Sequence, residues 1–150
     1  MHFKNLSLLF TLLILLFLTG CDAPGLSGNT KKEYYTGGQL RSEFIMSDKS
    51  GLTGLLKEYG YDGKLISSVK MRNGVKHGML TQYDPQDRVI RQVPYINGKV
   101  HGIDTAFYPN GDKMITYTYV NGVKNGQAFA YRPDGSIHRK ALYRNGRLVN

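Results

Sequence analysis

Residues 107–126 read FYPNGDKMITYTYVNGVKNG, and this stretch decides the fold. It holds two tight-turn signals, Pro109-Asn110-Gly111 and Asn121-Gly122, on either side of Asp112–Val120. Asn-Gly between alternating apolar residues is the strongest short-range hairpin signal, because both of its residues tolerate the positive φ of a type I′ turn. Moving outward, the pattern recurs. An aromatic residue stands at Tyr34, Tyr59, Tyr83, Phe107 and Tyr131, at intervals of 25, 24, 24 and 24 residues. Four residues after each come Gly38, Gly63, Asp87, Gly111 and Gly135. Further glycines recur at Gly51, Gly74, Gly98, Gly122 and Gly146, and again at Gly54, Gly78, Gly102 and Gly126. A period of about two dozen residues means stacked small units rather than one globular core.

Spacing of two after each opening turn is strand spacing. Positions two, six and eight are expected on one face: Leu40, Phe44, Met46; Leu65, Val69, Met71; Val89, Val93, Tyr95; Lys113, Tyr117, Tyr119; Ile137, Ala141, Tyr143. Lys113 is the exception, and a bulge at Met114 is expected to absorb it. No stretch after residue 20 carries a helical period. The expectation is an all-β protein: an open, single-layer antiparallel β-meander of about five hairpin repeats and nine or ten short strands. The repeats are 34–58, 59–82, 83–106, 107–130 and 131–150. Aromatic side chains before the turns are expected to stack in columns. The last unit has a first strand and no second, which would leave an exposed edge.

The N-terminus is a different kind of sequence. Leu6–Leu18 is almost purely apolar, too short for a membrane-spanning helix of about 20 residues and suited to a secretory signal. It ends in Leu18-Thr19-Gly20-Cys21, which resembles a bacterial lipobox. The resemblance implies cleavage before Cys21 and lipid attachment through its sulfur. Two or three acyl chains anchor durably where one does not. Residues 1–20 are thus expected to be a lipoprotein signal peptide. Residues 21–33, rich in Gly, Pro, Ser and Asn, are expected to be a lipidated flexible tether. The repeat domain follows at 34–150. Cys21 is the sole cysteine, so no intramolecular disulfide can form. Asp22 is similar to the signal that retains enteric-type lipoproteins in the inner membrane. The expected location is the bacterial cell envelope, membrane-anchored and facing the periplasm.

The mature chain carries a formal charge of +8, since only Lys4 among the charged residues is removed. The Asn-Gly loops hold Lys76, Lys99, Lys124 and Arg147 and no acidic residue, whereas the opposite loops mix signs. Antiparallel hairpins put turns of one kind on one side, so one long margin is expected to be basic and able to meet a protein partner or anionic lipid. His77 and His101 occupy equivalent places about 9–10 Å apart, too far for shared coordination at about 2.1 Å, and read as turn-stabilising residues. No nucleophile elbow, zinc-protease helix motif or phosphate-cradling loop occurs. No metal, cofactor or nucleic-acid site is expected, and the chain reads as not an enzyme.

The frame FYPNG (107–111), YRPDG (131–135), YINGKVHG (95–102) and YVNGVKNG (119–126) resembles the bacterial MORN-repeat variants. The resemblance covers about residues 34–150. It implies an open, twisted antiparallel sheet, and, through the YwqK-type antitoxins of that family, a protein-neutralising function. Two functional expectations follow. One is a lipid-anchored, non-catalytic protein-binding scaffold, an antitoxin or immunity protein against a toxin. The alternative is a structural, membrane-apposing lipoprotein that binds anionic lipid through its basic loop margin.

Overall fold

The computed structural model describes residues 29–149; the expected signal peptide, with Leu18, Thr19, Gly20 and Cys21, and most of the expected tether lie outside the described residues. The described residues form one open antiparallel sheet of thirteen strands and no helix. The first unit contains β1 (Thr30–Tyr34), β2 (Leu40–Met46) and β3 (Gly54–Tyr59). The second contains β4 (Leu65–Arg72), β5 (Val75–Lys76) and β6 (Gly78–Tyr83), and the third β7 (Val89–Ile96), β8 (Lys99–Val100) and β9 (Gly102–Phe107). The fourth contains β10 (Lys113–Val120) and β11 (Val123–Tyr131), and the last β12 (Ile137–Arg144) and β13 (Arg147–Val149). Eleven strands lie side by side in chain order, with β5 and β8 as short returns after their turns. The expected meander is therefore the fold.

Both turn types follow from their residues. At Asn73-Gly74, Asn97-Gly98, Asn121-Gly122 and Asn145-Gly146 every φ is positive, between 48° and 86°, as a type I′ turn requires. Each of these glycines also donates its N–H to a carbonyl one unit earlier: Gly74 to Leu52, Gly98 to Lys76, Gly122 to Val100 and Gly146 to Lys124, at 2.7–2.9 Å. The turns are thus laddered together along one margin. On the other margin the first loop residue donates to a carbonyl four residues on, as in Tyr108 to Asp112 at 2.8 Å. The side chains of Asp62, Asp84, Asn110 and Asp134 accept from backbone N–H groups two residues on, which is why Asp and Asn recur there. Asp87 stands at the glycine position with φ of 60°, a conformation Asp tolerates.

Three expectations change. First, residues 30–33 are the body of β1 rather than the end of a tether. Their alternation pairs them with β2, Thr30 opposite Ile45 and Glu33 opposite Ser42. Second, the last unit does have a second strand, since β13 covers Leu142–Arg144 of β12 and leaves Ile137–Ala141 as the outer edge. Third, the bulge expected only at Met114 recurs in every unit. The register skips one residue at Arg41, Ile66, Ile90, Met114 and His138.

That bulge sorts the side chains. Directly opposed residues share a face, so Phe44, Leu56 and Val69 lie in one row, continued by Leu80 and Val93. Val69, Leu80 and Val93 are buried, with Leu56, Met71, Tyr95 and Val100 packed against them; we call this side the core face. Leu65 instead pairs with Tyr59. The Tyr59 hydroxyl reaches Glu43, which neighbours Phe44 in β2 and so points the other way. Position two of each unit therefore lies opposite positions six and eight, because an inserted residue reverses the alternation. The aromatic columns are also rearranged. Tyr35 stacks on Tyr61 at 3.8 Å, Tyr117 meets Tyr143 edge-on at 6.1 Å, and Phe129 tilts against Tyr131 at 6.2 Å. The Tyr35 and Tyr108 hydroxyls donate to the Tyr59 and Tyr131 carbonyls of the following units.

Candidate interaction surfaces

The four basic residues of the Asn-Gly margin do not form one patch. Lys76 pairs with Met71 and Lys124 with Tyr119, which puts both on the core face. There the Lys124 ammonium sits 3.7 Å from the Tyr117 ring centre and 5.1 Å from that of Tyr143. The Lys76 ammonium lies 5.3 Å from the Tyr95 ring centre. Cation–π attraction to these rings holds the two lysines inward. Lys99 pairs with Ile96 and Arg147 with Arg144, which puts these two on the opposite face, both exposed. The expected common margin is real, but one residue of offset within the turn sends its charges to opposite sides.

Register shows a larger asymmetry that residue spacing alone did not reveal. On the face opposite the core, the strands carry Lys32, Lys57, Lys70, Arg72, Lys99, Lys113, Lys140, Arg144 and Arg147, against one acidic residue, Glu43. The core face carries Lys31, Lys76, Arg91, Lys124 and Arg139, with Arg41 at the bulge beside Lys31 and Glu33, against Glu33, Glu58 and Asp104. The chain's positive excess is concentrated on this second, basic face. The same face exposes Met79, Ile96, Ile103 and Val120 toward the Asn-Gly margin. An open recess of about 400 Å³ lies there among Ile45, Leu55, Lys70, Arg72 and His77.

Two polar clusters brace the sheet. On the core face Asp104 is only 4% exposed and receives a two-pronged bond from Arg91, Nε to Oδ1 at 2.9 Å and Nη2 to Oδ2 at 2.6 Å. That bond raises the Arg91 pKa further. On the basic face Glu43 accepts from the Tyr59 hydroxyl at 2.5 Å and from the Lys57 ammonium at 3.2 Å. The tyrosine bond is the largest influence, desolvation opposes it next, and Lys57 adds to the tyrosine, so the Glu43 carboxyl is held below its ordinary range. Burial and the neighbouring carboxylate push Tyr59 up to about 12. Neither cluster was foreseen, because each joins partners across neighbouring strands, a register that spacing along a single strand does not give.

The Tyr59–Glu43 bond makes a prediction with a definite sign. Tyr59 is raised when folded, so its contribution is complete below about pH 10 and is lost as pH rises toward 12. Glu43 is lowered when folded, so its contribution is present above about pH 4.5 and is lost as pH falls through the folded value. Tyr59→Phe should cost about 1 kcal/mol near pH 7. In thermal melts the gap between wild type and variant should close between pH 10 and 12; a gap independent of pH would contradict the assignment.

The histidines play separate parts. His101 Nδ1 lies 3.3 Å from Asn121 Oδ1, bridging successive turns. His77 Nδ1 is buried without a partner. Among the described residues no group of three His, Cys, Asp or Glu side chains is placed to hold a metal ion.

No family model matches the sequence, and no curated protein matches it. Among solved structures, the chain is similar to a point mutant of S. aureus TarM crystallised with fondaparinux, α-GlcNAc-glycerol and UDP. The identity is 20% over 69% of this chain, with a TM-score of 0.51. A second TarM structure gives 20% identity over 69% of this chain and a TM-score of 0.47. The chain spans about a fifth of TarM's length, 20% and 21% in the two cases. The likeness is one of fold, and those ligands belong to TarM.

Proposed function

We propose that this protein is a lipid-anchored component of the bacterial cell envelope whose sheet is a non-catalytic scaffold for another protein. The MORN-variant resemblance suggests an antitoxin or immunity role against a toxin. The observation that carries the reading is the sheet itself: an eleven-strand path with two chemically different, solvent-open faces. Such an array offers surface, and curved repeat surfaces serve as binding platforms. The chain enters the sheet at the Asn-Gly margin, where Thr30 lies opposite Ile45 and the Asn29 carbonyl accepts from Met46 N–H at 2.7 Å. Eight residues separate Cys21 from Thr30, a reach of at most roughly 32 Å over nine chain steps. An anchor at Cys21 would hold that margin near the periplasmic surface of the inner membrane, the location suggested by Asp22, and leave both faces free.

This entry point also favours the second reading, in which the margin contacts anionic lipid. Exposed Lys99 and Arg147 would then matter more than Lys76 and Lys124. Changing the first pair to Glu should reduce binding to phosphatidylglycerol vesicles clearly more than changing the second pair. Equal effects would sink the lipid reading.

Affinity purification of the mature protein from envelope extract tests the leading reading. Recovery of a protein partner is expected, together with toxin sensitivity of a strain lacking the gene; recovery of none, with no such sensitivity, overturns it. Cys21→Ala should leave an unprocessed or unanchored chain. A normal membrane-bound mature form would refute the lipoprotein assignment.

A further inference from the structure

We infer that the basic face, rather than the core face or the loop margin, is the docking surface, and that its occupant is an acidic protein. This rests on the protein-binding reading above and adds which surface binds and what chemistry it recognises. The charge imbalance is the first ground. The strands of this face present nine cations and one carboxylate, and Glu43 is already engaged by Lys57 and Tyr59. A surface of one sign steers and selects a partner of the other sign.

Its composition is the second ground. Toward the Asn-Gly margin Met79 and Ile103 are 46% and 57% exposed. Between that strip and the other margin runs a row of Ser68, Thr81 and Gln92, all half-buried. Apolar, hydrogen-bonding and cationic groups side by side suit a protein surface, which supplies all three complements. The extent is the third. Eleven adjacent strands at about 4.8 Å, most of them six to nine residues long, give roughly 50 by 20 Å. That is about 1,000 Å², against about 800 Å² per partner in a standard interface.

Shape distinguishes a protein from a bilayer. Ten strand-to-strand steps at roughly 20° each accumulate about 200° of twist. A planar membrane could touch only a few strands of such a face at once, whereas a protein partner can follow it. The margin, not the face, is the part suited to lying near lipid.

Site-directed photocross-linking in intact envelopes tests this. The full-length protein would carry a benzophenone amino acid at Met79 or Ile103 on the basic face, or at Gln82 or Leu148 on the core face. The expected result is a protein adduct from the first pair alone, with the cross-linked partner peptide lying in an acidic segment. The triple variant Lys70→Glu, Lys99→Glu and Lys140→Glu should weaken capture of that protein by at least about tenfold. Core-face reversals Lys31→Glu and Arg139→Glu should leave it unchanged, and circular dichroism melts would confirm that both variants fold. A protein adduct from the core-face positions alone would keep the scaffold reading and overturn this one. Phospholipid adducts alone, with phosphatidylglycerol-vesicle binding lost in the triple variant, would replace the protein with a bilayer. An adduct from neither face would overturn both readings.

Discussion

Replacing Gly126 with alanine should destabilise the sheet by about 3 kcal/mol, lowering the melting temperature by roughly 10 °C. Two costs combine. The residue holds φ of +126°, a conformation L side chains rarely adopt. A Cβ there would also fall 2.9 Å from Thr118 Cβ and 3.0 Å from its Cγ2. Thr118 cannot easily swing aside, because its hydroxyl donates to the Gln127 carbonyl at 2.8 Å. The equivalent glycines predict a graded series. At Gly102 a Cβ would meet Pro94, Cγ at 3.1 Å and Cβ at 3.6 Å, and at Gly78 it would meet Lys70 at 3.9 Å or more. Gly111 has φ of +89° and nothing within 4 Å of a Cβ. Gly111→Asn should therefore cost about 1 kcal/mol or less, as Asp87 already occupies the equivalent place. Thermal melts that rank Gly126, Gly102, Gly78 and Gly111 in that order would support the geometry. A Gly126→Ala variant as stable as wild type would refute it.

The second large effect is expected at Arg91. Arg91→Met removes the side chain that hydrogen-bonds Asp104 among the described residues, leaving a buried carboxyl unpaired in the middle of the core face. Breaking one side of a buried pair costs about 3–5 kcal/mol. Arg91 itself is half exposed, so water can partly replace it, and about 2–3 kcal/mol is the expected loss. Arg91→Met with Asp104→Leu should recover most of that loss, since the apolar pair matches neighbouring Val93. A double-mutant cycle in denaturant separates the pair's coupling from the packing change. Strictly additive single and double effects would show that the bond contributes nothing beyond its parts.

These two sites mark the division between what residue order disclosed and what it hid. The turns were legible because their chemistry is local. Asn-Gly demands two positive φ values, and the aspartates of the other loops cap their own backbone. Turn spacing then set the meander, since consecutive hairpins with short links have little choice of neighbour; the strands number thirteen against the nine or ten expected. The bulge was not legible as a general feature. It inserts one residue without leaving a polar or glycine marker, because Arg41, Ile66, Ile90, Met114 and His138 share no side-chain property. Once it is placed, the alternation reverses: Leu65 moves to the face of Tyr59, and the nine cations gather on one side. Arg91 meets Asp104 through the pairing of β7 with β9 instead.

The candidate surface suffered from the same gap. Lys76, Lys99, Lys124 and Arg147 were grouped by their shared loops, and the loops do share a margin. Lys76 and Lys124 follow their turn by one residue more than Lys99 and Arg147 do, and in a strand that offset means the opposite face. The edges were misread for another reason. Thr30–Glu33 is too polar and Arg147–Val149 too short to announce itself as a strand, and each acquires that state by pairing, with β2 and β12.

Native mass spectrometry of the protein, released from its own membrane in mild detergent, tests the central claim most directly. The account predicts a chain beginning at Cys21 with added acyl mass, bound to one different protein. The lipidated chain alone, or bound only to copies of itself, would contradict it.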